Sequence, residues 1–104
     1  MSEPRRGDVW WVELPGKRRP VLVLTRDAAI PVLQTVLVAP ITKRTRGIAT
    51  EVALDESDGM PVACVASLDN VTTAAKASMT HRITRLDSIR MRSVCEALAV
   101  AVQC

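Results

Sequence analysis

Lys17-Arg18-Arg19-Pro20-Val21-Leu22-Val23-Leu24, and after a turn through Thr25-Arg26-Asp27 the run Val32-Leu33-Gln34-Thr35-Val36-Leu37-Val38-Ala39-Pro40-Ile41-Thr42, carry the fold. Both are rich in Val and Leu, which suit a pleated, mostly buried surface, so residues 19–24 and 32–39 read as strands two and three. Basic clusters bracket the pair, Lys17-Arg18-Arg19 before it and Lys43-Arg44-Thr45-Arg46 after it. Arg19 and Thr42 therefore stand at the ends of rigid elements, where a functional group is well held.

Upstream, Gly7-Asp8-Val9-Trp10-Trp11-Val12-Glu13-Leu14 reads as the first strand. Its period of two puts Trp10, Val12 and Leu14 toward a core and Val9, Trp11 and Glu13 on the other face. Trp11 is then partly exposed, either under a packing or dimer contact or as a platform for a base. Pro15-Gly16 marks a tight turn. Downstream, residues 48–54 read as a fourth strand, residues 55–59 as a turn, residues 61–71 as a fifth strand and residues 80–86 as a short polar edge strand. In the fifth, Ala63, Val65 and Ser67 alternate with Val62, Cys64, Ala66 and Leu68, and residues 74–78 read as a helical turn.

The chain ends in one helix, with Asp87 or Ser88 as N-cap. Met91, Val94, Cys95, Leu98, Ala101 and Val102 form its apolar stripe. About six short strands and a terminal helix make a mainly β chain, a small, strongly bent sheet or open barrel, and residues 1–104 form a single domain.

Composition narrows the classes. An apolar content of 48% with 24% charged residues is that of a globular protein rather than a disordered one. No apolar run reaches the roughly 18 residues of a membrane span, and no signal peptide follows Met1, so a cytoplasmic location is expected. Three widely spaced cysteines and a single histidine, His81, offer no metal-ligand cluster, so no metal and no cofactor are expected. Cys64 and Cys95 read as small buried residues and Cys104 as an exposed terminal one. Charge is uneven: residues 1–46 carry +5, residues 47–80 carry −4 and residues 81–104 carry +2. On charge alone, a phosphate-binding surface and a plain solvated face are equally open.

One histidine excludes a two-histidine ribonuclease, and no Gly-x-Ser-x-Gly or phosphate-cradling Gly loop is present. What remains is Arg, hydroxyl and carboxylate. That set suits cleavage of RNA by its own 2′-hydroxyl, where the nucleophile belongs to the substrate and the protein aligns it and stabilises charge. Arg19 fits as the bidentate phosphate ligand, Thr42 as a hydroxyl donor and Asp69 as the general base. Arg19 also fits a charged edge-of-strand residue, and Thr42 a loop cap.

Arg6-Gly7-Asp8-Val9-Trp10, Arg19-Pro20-Val21-Leu22-Val23-Leu24, Pro40-Ile41-Thr42, Asp58-Gly59 and Ser67-Leu68-Asp69-Asn70-Val71, in that order, resemble the MazF/PemK family of bacterial toxin–antitoxin pairs. The resemblance spans nearly the whole chain up to the terminal helix. It implies an SH3-like barrel, a homodimer, and an endoribonuclease (an mRNA interferase) that cuts single-stranded RNA at short motifs without metal. The ends left would be a 2′,3′-cyclic phosphate and a 5′-hydroxyl, with messenger RNA as substrate and transfer or ribosomal RNA as further classes. It also implies a cognate MazE-like antitoxin whose acidic tail occupies the RNA groove.

By the same resemblance Arg19, Thr42 and Asp69 are catalytic. Lys17, Arg18, Lys43, Arg44 and Arg46 then position phosphates, while Asn70, Trp11 and Glu13 complete the RNA-facing set. The 15–18 connection is shorter than in many members, and Ser67 and Thr72 stand where some carry Arg. With no Phe or Tyr, base stacking falls to Trp10, Trp11 or His81. Two rivals remain. A CcdB-like toxin that poisons DNA gyrase would rely on its terminal helix, and here the end of that helix offers no large anchor. An SH3-like adaptor would need an aromatic groove.

Overall fold

The computed structural model describes residues 3–103. Its seven strands are β1 (Asp8–Leu14), β2 (Lys17–Val23), β3 (Thr35–Thr42), β4 (Glu51–Leu54), β5 (Cys64–Ser67), β6 (Thr72–Ala75) and β7 (Met79–Arg85). They form one antiparallel sheet in the order β4-β5-β3-β2-β1-β7, with β6 also on β3. The helix α1 (Ser88–Val102) follows. β3 is the hub: β2 lies on one side, and the other side is shared by β6 along Thr35–Val38 and β5 at Ile41 and Thr42. Two short strands lying end to end beside β3, with a buried cluster on each face of the sheet, mark a sheet that bends along β3.

Bending also gives the sheet two buried faces. Along β1 and β2, Val9 and Leu22, with Leu24 just beyond β2, enter a larger cluster with Ile41, Leu54, Leu68 and Val94. Their alternates Trp10, Val12, Val21 and Val23 enter a smaller one with Ile30, Val36 and Val38. Period two thus sorts residues between two cores rather than between core and water. This corrects the expectation for β1: Val9 is fully buried, while Leu14, at the hairpin tip, is 40% exposed. It also removes the expected alternation in β5, whose four residues are all buried.

Other sequence-derived boundaries shift for local reasons. Residues 30–32 form a 3₁₀ turn with Pro31 in its first turn, so β3 begins only at Thr35. β4 begins at Glu51 because the Glu51 N–H donates to the Ile48 carbonyl in a turn. The expected 61–71 strand is the short β5 followed by a 3₁₀ turn, Leu68–Asn70. The seventh strand, β6, is the one the sequence pattern hides: its Thr72, Thr73 and Ala75 are exposed, and its pairing with β3 rather than its own apolarity makes it a strand. Only residues 76–78 of the expected helical turn are helical. β7 is an edge strand, on β1.

In α1, Asp87 is the N-cap, its carboxylate accepting from the Arg90 N–H at 2.7 Å. Val94 and Ala97 are buried, with Met91, Leu98 and Ala101 packed beside them. Cys95 and Val102, expected on the stripe, are exposed: the buried face runs through 91, 94, 97, 98 and 101 and turns both away. The Arg6 guanidinium donates to Cys95 Sγ at 3.0 Å. Cys64 is buried, and burial with the nearby charges of Asp58 and Asp55 raises its thiol pKa. Cys104 lies outside the described residues. Among the described residues no helix is long and apolar enough to cross a membrane.

Gly59 closes the 3₁₀ turn Glu56–Asp58 at φ 91°, and a Cβ there would run into the Thr84 side chain, which itself donates to the Asp58 carbonyl at 2.9 Å. Gly59→Ala is expected to cost about 1–3 kcal/mol, combining left-handed strain with the clash. Chemical denaturation measures it; a loss within experimental error would show that the turn relaxes without cost.

Candidate functional site

β2 changes character along its length: Lys17, Arg18 and Arg19 are exposed, and Val21, Leu22 and Val23 are buried. Pro20 sits at the transition. The β2–β3 ladder begins only at Val21, so the N–H that Pro20 lacks removes no bond on that side. Arg19 pairs with Val12 of β1 and is thus fixed by a regular ladder while its side chain stays in water.

Thr42 ends β3, opposite Val65 of β5, and its Oγ1 accepts from the Arg44 N–H at 3.2 Å. A hydroxyl has two acceptor sites and one donor, so this bond leaves its proton available to another acceptor.

Arg19 and Thr42 together line a cavity of about 440 Å³, whose other walls include Arg44, Arg46, Glu51, Ser67 and Asn70. The amide of Asn70 donates to Ser67 Oγ at 2.8 Å, which sets its orientation. Arg19, Ile41, Thr42 and Arg44 also border a second cavity of about 400 Å³, this one walled largely by apolar groups including Trp11, Met60, Val62 and Ile83. The pair is therefore the shared wall between a polar hollow and an apolar one. Lys43 borders the second, and Arg18 lies over the Trp11 ring, 4.4 Å from its centroid.

The residues expected at the site are thus divided. Arg19, Thr42, Arg44, Arg46 and Asn70 line the polar cavity, and Trp11 and Lys43 line the apolar one. Lys17 and Glu13, exposed at the β1–β2 hairpin, line neither, and Arg18 reaches the site only over Trp11. Asp69, on the Leu68–Asn70 turn, lies outside both walls, and its Oδ2 accepts from the Thr50 hydroxyl at 2.5 Å.

Glu51 was not anticipated. It is the carboxylate in the polar wall, and its Oε1 accepts from the Arg46 N–H at 2.8 Å, the Gly47 N–H at 3.1 Å and the Thr45 hydroxyl at 3.2 Å. The Arg46 bond, foremost among these, holds its pKa below the usual carboxylate value. A carboxylate opening a strand just after a basic loop was the available signal. Among the described residues no group of three or more His, Cys, Asp or Glu converges as a metal site would require.

A profile of the PemK-like, MazF-like toxins of type II toxin–antitoxin systems matches residues 5–102. A probable endoribonuclease MazF5 from Mycobacterium tuberculosis is 50% identical over 103 residues, covering 97% of this chain and 94% of the relative. The solved structure of the Mycobacterium tuberculosis toxin MazF-mt6 superposes with a TM-score of 0.85 at 36% identity, covering 92% of this chain and 96% of that one. A mycobacterial endoribonuclease solved in complex with its cognate antitoxin gives 0.86 at 26% identity, covering 96% and 95%.

Proposed function

The chain belongs to the family of PemK-like, MazF-like toxins of type II toxin–antitoxin systems, and we propose that it works as an endoribonuclease through Arg19 and Thr42. The observation that carries this is their meeting, Arg19 from within β2 and Thr42 from the end of β3, on one wall between a cation-lined hollow and an apolar one. A single strand of RNA suits such a wall: its phosphate needs cations, and the bases on either side need somewhere to go.

In the proposed reaction the 2′-oxygen of one ribose attacks the adjacent phosphorus. The 2′-O–P bond forms, the P–O5′ bond breaks, and the products are a 2′,3′-cyclic phosphate and a 5′-hydroxyl. Arg19 holds the non-bridging oxygens with its planar fork, and Thr42 donates its proton to one of them as charge develops. The 2′-hydroxyl proton is assigned to Asp69, the carboxylate beside Asn70 on the same turn, which requires it to leave Thr50 for the cavity when RNA binds; the O5′ leaving group takes up a proton from solvent. Asp69→Asn is then expected to lower kcat in single-turnover cleavage with little change in KM. An unchanged kcat would transfer the role elsewhere.

Asn70, oriented by Ser67, reads a base edge on the polar side, and Trp11 packs a base on the apolar side. Arg44, Arg46, Lys43 and the outlying Lys17 and Arg18 position phosphates, with Glu13 at the rim. Lys43→Ala combined with Arg44→Ala is expected to weaken RNA binding and flatten its salt dependence by about 1.4 in the log–log slope, about 0.7 for each phosphate that the protein no longer neutralises. The cleavage motif should stay the same; a changed motif would make these residues base readers.

The family reading further carries a homodimer in the bacterial cytoplasm and an antitoxin whose acidic segment competes with RNA for the same cations. The relative solved with its cognate antitoxin supports that pairing. The direct test is incubation of the antitoxin-free protein with a long single-stranded RNA in EDTA, followed by mapping of fragment ends. Discrete cuts with 5′-hydroxyl ends are expected. Intact RNA from a demonstrably folded protein would overturn the reading and favour a gyrase poison.

A further inference from the structure

Residues 43–47 form an exposed loop rich in cations, a segment that would ordinarily repel itself and sample many shapes. In this protein it is tied at both ends. At its start the Arg44 N–H donates to Thr42 Oγ1, and at its end the N–H groups of Arg46 and Gly47 and the Thr45 hydroxyl converge on Glu51 Oε1. Gly47 lies at φ 66°, and the Gly47 N–H also donates to Thr45 Oγ1 at 3.2 Å. Consecutive N–H groups turned inward around a left-handed residue make an anion-binding concavity, and the anion in it is the protein's own carboxylate.

Glu51 cannot drift to meet the loop. It opens β4 and pairs with Ser67 of β5, the residue that orients Asn70. One rigid strand pair therefore sets both the amide side of the polar cavity and the clamp on its cationic side.

We propose that Glu51 is a positioning residue: by occupying the concavity of residues 45–47 it holds Arg44 and Arg46 on the cavity wall beside Arg19 and Thr42. This rests on reading that cavity as the RNA site. Two rival roles predict different results. If Glu51 acted only as a negative charge in a phosphate-binding hollow, removing it would tighten RNA binding. If it were an acid–base group, removing its charge would collapse kcat. A positioning role needs an oxygen acceptor at the right place, and the charge is secondary.

The test compares Glu51→Ala and Glu51→Gln by steady-state cleavage of a single-stranded RNA and by amide hydrogen exchange at Arg46 and Gly47. The alanine variant is expected to raise KM about three- to tenfold with kcat within about twofold, and to lose exchange protection at both amides. The glutamine variant, which keeps the acceptor and sheds the repulsion, should match the wild type or bind more tightly. Tighter binding by the alanine variant would overturn the proposal in favour of simple repulsion. A kcat collapse in the glutamine variant would overturn it in favour of acid–base chemistry. Exchange is read without RNA, so unchanged protection in the alanine variant refutes the clamp, whereas wild-type protein that fails to cut RNA refutes only the ribonuclease reading.

Discussion

Arg19→Ala is expected to slow RNA cleavage by about a hundred- to a thousandfold, the usual cost of removing one donor aimed at developing charge, about 2.7–4 kcal/mol. Phosphoryl transfer from a substrate that brings its own nucleophile leaves the protein little else to contribute than alignment and charge stabilisation, so loss of the guanidinium should dominate. Arg19 is exposed and sits in the polar half of β2, so thermal stability should be unchanged. Arg19→Lys keeps the charge but not the planar fork and should recover only part of the rate. Single-turnover cleavage with end mapping measures both. Full activity in the alanine variant would remove Arg19 from the chemistry and leave the cavity as a binding surface only.

Asp8→Ala should destabilise the fold more than any of the other substitutions. Asp8 is 1% exposed, and its carboxylate accepts from Trp10 Nε1 at 3.1 Å, the Arg5 N–H at 2.9 Å and Arg85 Nε at 2.7 Å. It therefore joins the N-terminal entry, β1 and the edge strand β7 at one point. The same contact, hydrogen bond first and charge second, raises the pKa of Arg85.

Truncation strands the buried indole N–H and opens a void, while Arg85, 43% exposed, can turn to water. Discounting the ion pair for that exposure leaves about 2–4 kcal/mol, mostly from the two neutral donors and the void. For a domain of this size that is a fall in Tm of about 10–25 °C. Asp8→Asn, which keeps the volume and one acceptor, should cost less. Calorimetry on the two variants checks the order; equal losses would put the charge of Asp8, rather than its shape, in control.

Arg19 and Asp8 differ in how far the chain alone reveals them. Arg19 was legible because a charged cluster abutting Pro20 and an apolar run is a local signal, and the ordered motifs around it carry the family resemblance. Thr42 was legible for the same reason at the other end of the pair. Asp8 was not singled out as a buried carboxylate, because its three donors come from Arg5, Trp10 and Arg85, and the last is 77 positions away. β6 escaped because Thr72 to Ala75 have no apolar alternation; the open edge of β3 makes them a strand. Cys95 was misplaced because a period of 3.6 admits several neighbouring stripes, and only the sheet beneath α1 selects the one through Val94 and Ala97.

By itself the sequence determined the mainly β class, the terminal helix with its start at Asp87 or Ser88, the hairpin that presents Arg19 and the family to which the chain belongs. These depend on short-range pattern and on ordered motifs, which a linear reading contains. Tertiary structure alone decided which of the candidate residues share a cavity. Asn70 is turned into the polar wall while its neighbour Asp69 is tied to Thr50 outside it, and Glu51 enters that wall unannounced. The reason is the bend in β3: membership of a wall depends on where a curved sheet returns the ends of strands far apart in the chain, and no local periodicity encodes that curvature.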